Sequence, residues 1–323
     1  MKMKPATRAR VALIRGAQML LALALLASNV AVARTADPVQ GVHVRRQGDM
    51  PEARETGRTM VKALQAQCDS PMMKQACQTT LSDPNATARA KSGCQQLMSG
   101  FKLVGNLDSL GENEVNEYYA PALNRSARIV KTTSVRQTGV CSAVVDQHEQ
   151  FAIVEYRPTG FSRYERRTDK QGQPYWIRSD RKYVPGLAYM LKSAVDSAQL
   201  SGKVTVSAPL GHKTLVPGRP CEIRRIHAGS MEFVSCIHAT GLAFPSHVTF
   251  ESEVLAGGKT SRVEKLVSYA HDVALSRDLF FPRLGEKVMT QQDARSDPNN
   301  PMKRWCAAEK ARTGVDPCKD DDE

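Results

Sequence analysis

The sequence predicts an α+β protein: an antiparallel β-sheet, strongly curved or closed, packed on one helix, with a disulfide-stapled helical region before it. Three observations lead there. Between about 126 and 285, β-branched and aromatic residues come in short runs separated by turn signals. One stretch inside that region, Leu187 to Ala198, has helical periodicity instead. Before it, about 51–125 is helical in texture and carries Cys68, Cys77 and Cys94.

The chain has 323 residues, and its first segment reads as an address rather than a part of the fold. Lys2, Lys4, Arg8, Arg10 and Arg15 form a basic start with no acid. Met19 to Ala27 is a short apolar run, and Ala31-Val32-Ala33 is a small-residue cleavage signal. These are the parts of a secretory signal peptide over 1–33. No apolar run reaches the ~20 residues of a membrane-spanning helix, so no transmembrane span is expected after cleavage. Cleavage lowers the formal charge from +12 to about +7. That excess is too modest to indicate specific nucleic-acid recognition. The expected location is periplasmic or secreted.

Residues 34–50 are polar and are expected to be a flexible segment. From about Pro51, the residues Met60, Val61, Leu64 and Cys68 recur at helical spacing. Ser70-Pro71 reads as an N-cap followed by proline at the first helical position. A third helix is expected over about 86–101.

The eight cysteines are Cys68, Cys77, Cys94, Cys141, Cys221, Cys236, Cys306 and Cys318. An even count in an exported chain points to disulfides. No C-x-x-C and no tight His/Cys cluster occurs, so neither a metal centre nor a cofactor is expected. One bridge follows from strand register. A two-residue turn at Ala228-Gly229 would set Cys221 opposite Cys236, Ile223 opposite Val234 and Arg225 opposite Glu232. Cys306–Cys318 would close a small element in the polar tail, 286–323. The pairing of Cys68, Cys77, Cys94 and Cys141 stays open.

In the β region, expected strands cover Ala127–Val135, Gly139–Val145, Phe151–Tyr156, Ser162–Thr168, Tyr175–Ser179 and Val204–Ala208. The Cys221/Cys236 hairpin, His247–Leu255 and Arg262–Ala270 follow. Leu187, Met190, Leu191, Ala194, Val195 and Ala198 mark one face of the interrupting helix. A curved sheet whose concave side is only partly filled would suit an apolar ligand. Its lining would come from Leu187, Met190 and Leu191 on the helix, and from Val248, Phe250 and Val254 on a strand.

Catalytic motifs are not found. The sequence has no G-x-S-x-G, H-E-x-x-H or Gly-rich phosphate loop. Two S-x-x-K strings, at Ser99 and Ser179, lack the companion elements of a serine–lysine hydrolase. One patch stands out. Arg157, Arg163, Arg166, Arg167, Lys170, Arg178, Arg181 and Lys182 interleave with Phe161, Tyr164, Tyr175, Trp176 and Tyr183. On a hairpin the basic residues would share one face, suited to an anionic polymer or surface through charge and stacking. The bland alternative is a solvated sheet face with the aromatics in the core.

Val216-Pro217-Gly218-Arg219-Pro220-Cys221-Glu222-Ile223 reads as a loop leading through Gly-x-x-Cys into a strand. Cys236, Ala270-His271-Asp272-Val273 and Leu279-Phe280-Phe281-Pro282 follow in order. Over about 126–285 this resembles the periplasmic lipoprotein-carrier-like half-barrel proteins. The helical stretch before it and the cysteine-closed tail depart from that pattern. The resemblance implies a half-barrel-like sheet cradling a helix, an acyl-chain or lipid-like ligand, and no catalytic residues. The expected function is therefore an exported, non-catalytic envelope protein that binds a lipid-like ligand or an envelope protein. The alternative is an interaction module for an anionic polymer, using Arg157–Lys182.

Overall fold

A computed structural model describes residues 37–169, 171–182, 204–228 and 231–296. The segment read as a signal peptide, the helix carrying Leu187, Met190 and Leu191, and Cys306 and Cys318 lie outside the described residues. The described elements belong to the compact unit that begins at Pro38.

Fourteen strands form one large, curved, unclosed sheet. They are β1 (Val39–Asp49), β2 (Lys102–Val104), β3 (Glu112–Ala120), β4 (Arg125–Gly139), β5 (Ser142–Arg157), β6 (Gly160–Thr168) and β7 (Pro174–Lys182). Then come β8 (Val204–Val206), β9 (Gly211–Val216), β10 (Arg219–Ala228), β11 (Met231–Ala239), β12 (His247–Ala256), β13 (Lys259–Leu275) and β14 (Lys287–Thr290). The helices are α1 (Pro51–Asp69), α2 (Pro71–Ser82), α3 (Ala88–Met98) and α4 (Gln291–Ser296). The strand order is β14-β7-β6-β5-β4-β3-β1-β13-β12-β11-β10-β8, with β2 added to β5 and β9 to β10. The sheet is mixed rather than purely antiparallel, because β14 pairs with β7 and β2 with β5 in parallel.

The order makes β1 the seam between two wings. One runs from β3 to β14, the other from β13 to β8. Residues 34–50, expected to be flexible, therefore contain a central strand whose Val42 and Val44 are fully buried. The region 51–125 likewise contains a central strand, β3, besides its helices. Two glycines let β1 fit the seam. A Cβ on Gly41 would sit 2.3 Å from the Tyr119 carbonyl oxygen, and one on Gly48 would sit 2.0 Å from that of Val263. No side chain is tolerated at such approaches.

Each face of the sheet has its own core. On one, Val154, Tyr156 and Phe161 from the first wing share a cluster with Cys221, Cys236, Val248 and Phe250 from the second, across Val42 and Val44. Strands as far apart in the order as β6 and β10 can share a cluster only where the sheet curves towards itself, so this is the concave face. The β11–β12 connection folds over this face. Phe244, preceding a cis Pro245, packs its ring 4.8 Å from Tyr156 and 6.1 Å from Tyr119. The opposite face holds Ala127, Phe151, Ile153, Tyr164 and Trp176, capped by Phe280 from a short 3-10 turn.

The helices follow the sequence signals. Ser70 Oγ accepts from the Met73 amide at 3.4 Å, and Thr87 Oγ1 from the Ala90 amide at 3.2 Å. Helix α1 buries Gly57, Val61, Leu64 and Cys68 along one face. Disulfides Cys68–Cys141 and Cys77–Cys94 tie the helices to the β4–β5 turn and to each other, around Leu97.

The Cys221–Cys236 disulfide forms, but in another register from the one expected. Ile223, not Cys221, lies opposite Cys236, Arg225 opposite Val234, and Ala228 opposite Met231. The bridge is therefore diagonal, with Cα atoms 5.3 Å apart. A shift of this size returns every side chain to the same face, so the hydrophobic alternation does not distinguish the two registers. Arg225 still reaches Glu232, at 2.9 Å. The separate strands expected at Gly139–Val145 and Phe151–Tyr156 are parts of one long strand, β5.

Cys68–Cys141 closes a loop of 73 residues, against 17 for Cys77–Cys94 and 15 for Cys221–Cys236. In the chain-entropy picture the long loop contributes about 4 kcal/mol and each short one about 3. Paired Cys→Ser replacement followed by denaturant unfolding should show Cys68/Cys141 as the costliest of the three.

Candidate functional site

The concave face carries a chain of charges where an apolar core would be expected. Along β1 the inward positions are Val42, Val44 and then Arg46, which is 2% exposed. Register brings Glu117 of β3 opposite Val44 and Glu264 of β13 opposite Gly48. Both carboxylates therefore flank Arg46 from neighbouring strands. Arg46 Nη2 lies 2.9 Å from Glu117 Oε1, Nη1 donates to Glu117 Oε2 at 3.0 Å, and Nε donates to Glu264 Oε2 at 3.0 Å. Nη1 also donates to the Thr249 carbonyl at 2.7 Å, reaching β12.

Two more arginines end the chain. Arg128, opposite Glu117 on β4, places Nε 3.4 Å from Glu117 Oε1. Arg262 places Nε 3.4 Å from Glu264 Oε1. The Tyr119 hydroxyl donates to Glu117 at 3.1 Å. Asn113 Nδ2 and Ser252 Oγ donate to Glu264 at 3.3 and 3.4 Å. The array is Arg128–Glu117–Arg46–Glu264–Arg262, three cations to two anions.

Burial by itself would raise both carboxyl groups. The adjacent guanidinium charges outweigh it, holding Glu117 below the ordinary carboxylate range and Glu264 at about 2. Burial also lowers the proton affinity of Arg262, and the like charges of Arg128 and Arg46 add to that, against Glu264.

Beside Glu117 a small cavity of about 20 Å³ opens, lined by Tyr119, Ser126, Arg128, Ala152, Val154 and Arg163 among others. Its size suits a water or a small headgroup, not an acyl chain. Ser126, Val154 and Arg163 form one rung across β4, β5 and β6, and Arg128 and Ala152 form the next. Small side chains in the middle thus leave a gap between two arginines. The apolar cluster of Val154, Tyr156, Phe161 and Phe244 adjoins it.

The sequence-predicted lining is only partly assembled here. Val248 and Phe250 are in the concave cluster but are packed rather than open, 1% and 0% exposed. Phe250 stacks on His238 at 4.9 Å and meets Tyr269 edge-on at 5.1 Å, and those two rings touch each other at 5.6 Å. Val254 is buried farther along β12. Leu187, Met190 and Leu191 are outside the described residues.

The basic patch does not share one face. On the β6–β7 hairpin Arg166 lies opposite Trp176 and Arg178 opposite Tyr164, on the convex side. Arg163 lies opposite Ser179, Arg167 opposite Tyr175 and Arg181 opposite Phe161, on the concave side. Period-2 alternation divides them. Acids answer many of them: Arg163 and Arg167 pair with Glu165, Arg178 with Asp180, and Arg166 with Glu286 at 2.5 Å. Trp176 is fully buried and donates to Glu286, so its ring is not a stacking platform. Arg181 is exposed, and of the Lys182 side chain nothing is described.

Sequence reasoning missed Arg46, Glu117, Arg128, Arg262 and Glu264. One signal was present: Val115, Glu117 and Tyr119 alternate with polar residues, which places an acid on an inward position. A buried acid needs a buried cation. Among the described residues, no three His, Cys, Asp or Glu side chains are grouped to hold a metal ion, and no helix is long and apolar enough to cross a membrane. The three disulfides fit an oxidising compartment. No protein-family model and no curated protein matches this chain.

Two consequences can be measured. Glu264 has a depressed folded-state pKa, so its stabilisation is complete above about pH 5 and is lost as pH falls towards 2. Glu264→Gln should lower stability at pH 7 by about 3 kcal/mol and flatten the acid limb of a stability–pH curve. Arg166→Glu should destabilise by about 2 kcal/mol, because two carboxylates would then meet beside buried Trp176. Arg167→Glu, at a more exposed position, should stay within about 1 kcal/mol, as read by thermal unfolding.

Proposed function

We propose that this is an exported, periplasmic or secreted binding protein that takes a lipid-like or amphipathic ligand on the concave face of its sheet. The observation that carries the reading is the open curvature. Both wings contribute apolar side chains to one concave face, and at the edge of that cluster opens a small gap, its walls largely apolar, where Arg128, Arg163 and Ser126 also reach. An unclosed sheet with a mixed apolar and polar concavity is the kind of surface that binds small amphiphiles. The secretory signal read at 1–33 and the disulfides fit the location. The likeness in residue order to the lipoprotein-carrier-like half-barrels supports the same ligand class. The alternative, an anionic polymer on the Arg157–Lys182 hairpin, has weaker support, because those arginines are split between two faces and many are answered by acids.

Native mass spectrometry of protein purified from an oxidising compartment, before and after organic extraction, tests this. The expected result is a co-purifying mass of a few hundred daltons or more that leaves on extraction. Protein that carries nothing and takes up no added lipid sinks the proposal.

A further inference from the structure

The buried array has one more cation than anion, and its outer end faces the gap. Arg128 spends its charge on Glu117, which Arg46 already engages with two of its nitrogens. The Arg128 Nε hydrogen is buried and makes no hydrogen bond among the described residues, Glu117 Oε1 at 3.4 Å being only an ion-pair contact, and the same holds for Arg262 Nε beside Glu264. A buried donor without an acceptor is costly and usually marks a missing partner. Arg128 and Arg163 stand on adjacent rungs around the cavity, with Ala152 and Val154 between them as an apolar wall. The Ser126 hydroxyl, 3.1 Å from that of Tyr156, lines the same space and has a second position to offer. A singly charged, planar acceptor of two or three hydrogen bonds suits this arrangement, and a carboxylate has that shape and charge.

We infer that the gap between Arg128 and Arg163 is a carboxylate-binding site, with Ser126 as a further donor. The inference rests on the binding-protein reading and narrows it: the amphiphile is an acid, held by its headgroup at the end of the ion array. One negative charge there matches the array's excess of one. The cavity, of about 20 Å³, admits a headgroup only, so any chain runs outward along the concave face.

The test compares three probes by calorimetry on the whole mature protein: decanoate, decanol and acetate. Decanoate binding far more tightly than decanol is the expected result, with Arg128→Met weakening decanoate about tenfold or more. Arg128→Lys keeps the charge and should retain part of the affinity. Unchanged far-UV circular dichroism in both variants separates a lost contact from a lost fold. Weak acetate binding assigns the site to the headgroup of an amphiphile. Acetate as tight as decanoate assigns it to free carboxylates and takes the apolar ligand away from this face. Equal binding of decanol and decanoate, or decanoate indifferent to Arg128→Met in a folded protein, overturns the carboxylate site and leaves the amphiphile reading standing. No binding of any probe overturns both.

Discussion

The double pairing of Arg46 ties the two wings together at the strand that joins them. Strand β1 is the element through which the two wings join, and Arg46 is the inward residue of β1 that reaches β3, β13 and β12 at once. Valine at the two preceding inward positions contributes burial without direction. A guanidinium contributes direction, because its donors fit carboxylates only in a fixed fork. Taking one partner away leaves a buried charge uncompensated, which is costlier than the pair itself is favourable. The array is therefore better understood as fixing which strands meet than as a large net source of stability.

That constraint explains the division of the concave face. At one end, where Phe244, Tyr156, Val248 and Phe250 converge, the surface is closed by apolar packing. At the other, Ser126 and Ala152 leave a small gap between Arg128 and Arg163 that no side chain among the described residues fills. The polar end and the apolar end are neighbours on the same rungs. This is the arrangement an amphiphile needs, and it follows from where β1 places its arginine.

The helices serve the sheet in a different way. Helices α1 to α3 are short to moderate, bury few apolar residues and would be marginal alone. Two disulfides replace the missing core, one of them locking α1 to the β4–β5 turn. Arg54 adds a local tie at the start of α1, donating to the Leu110 carbonyl at 2.8 Å and to Asp49 at 2.6 Å. The helical region is thereby held to the end of the seam strand.

Much of the local structure was legible in the residues. The cap at Ser70, most strands after Arg125, and the Cys221–Cys236 bridge are written in spacing, capping chemistry and alternation, all of which act over a few residues. What sequence alone could not supply is every feature that depends on partners far apart in the chain. Strand β1 read as a polar segment because its burial depends on Glu117 and Glu264, 71 and 218 residues away. The hairpin register expected from the sequence was off by two residues, because the two registers preserve the same faces and alternation does not choose between them. The basic hairpin read as one patch because composition does not reveal which acids, such as Glu286, 120 residues on, come to answer it. Short-range propensity thus determined the helices before Lys102 and most of the strands after Arg125. Long-range pairing of buried charge, which pays its desolvation only when the tertiary contacts exist, decided their order and the candidate site.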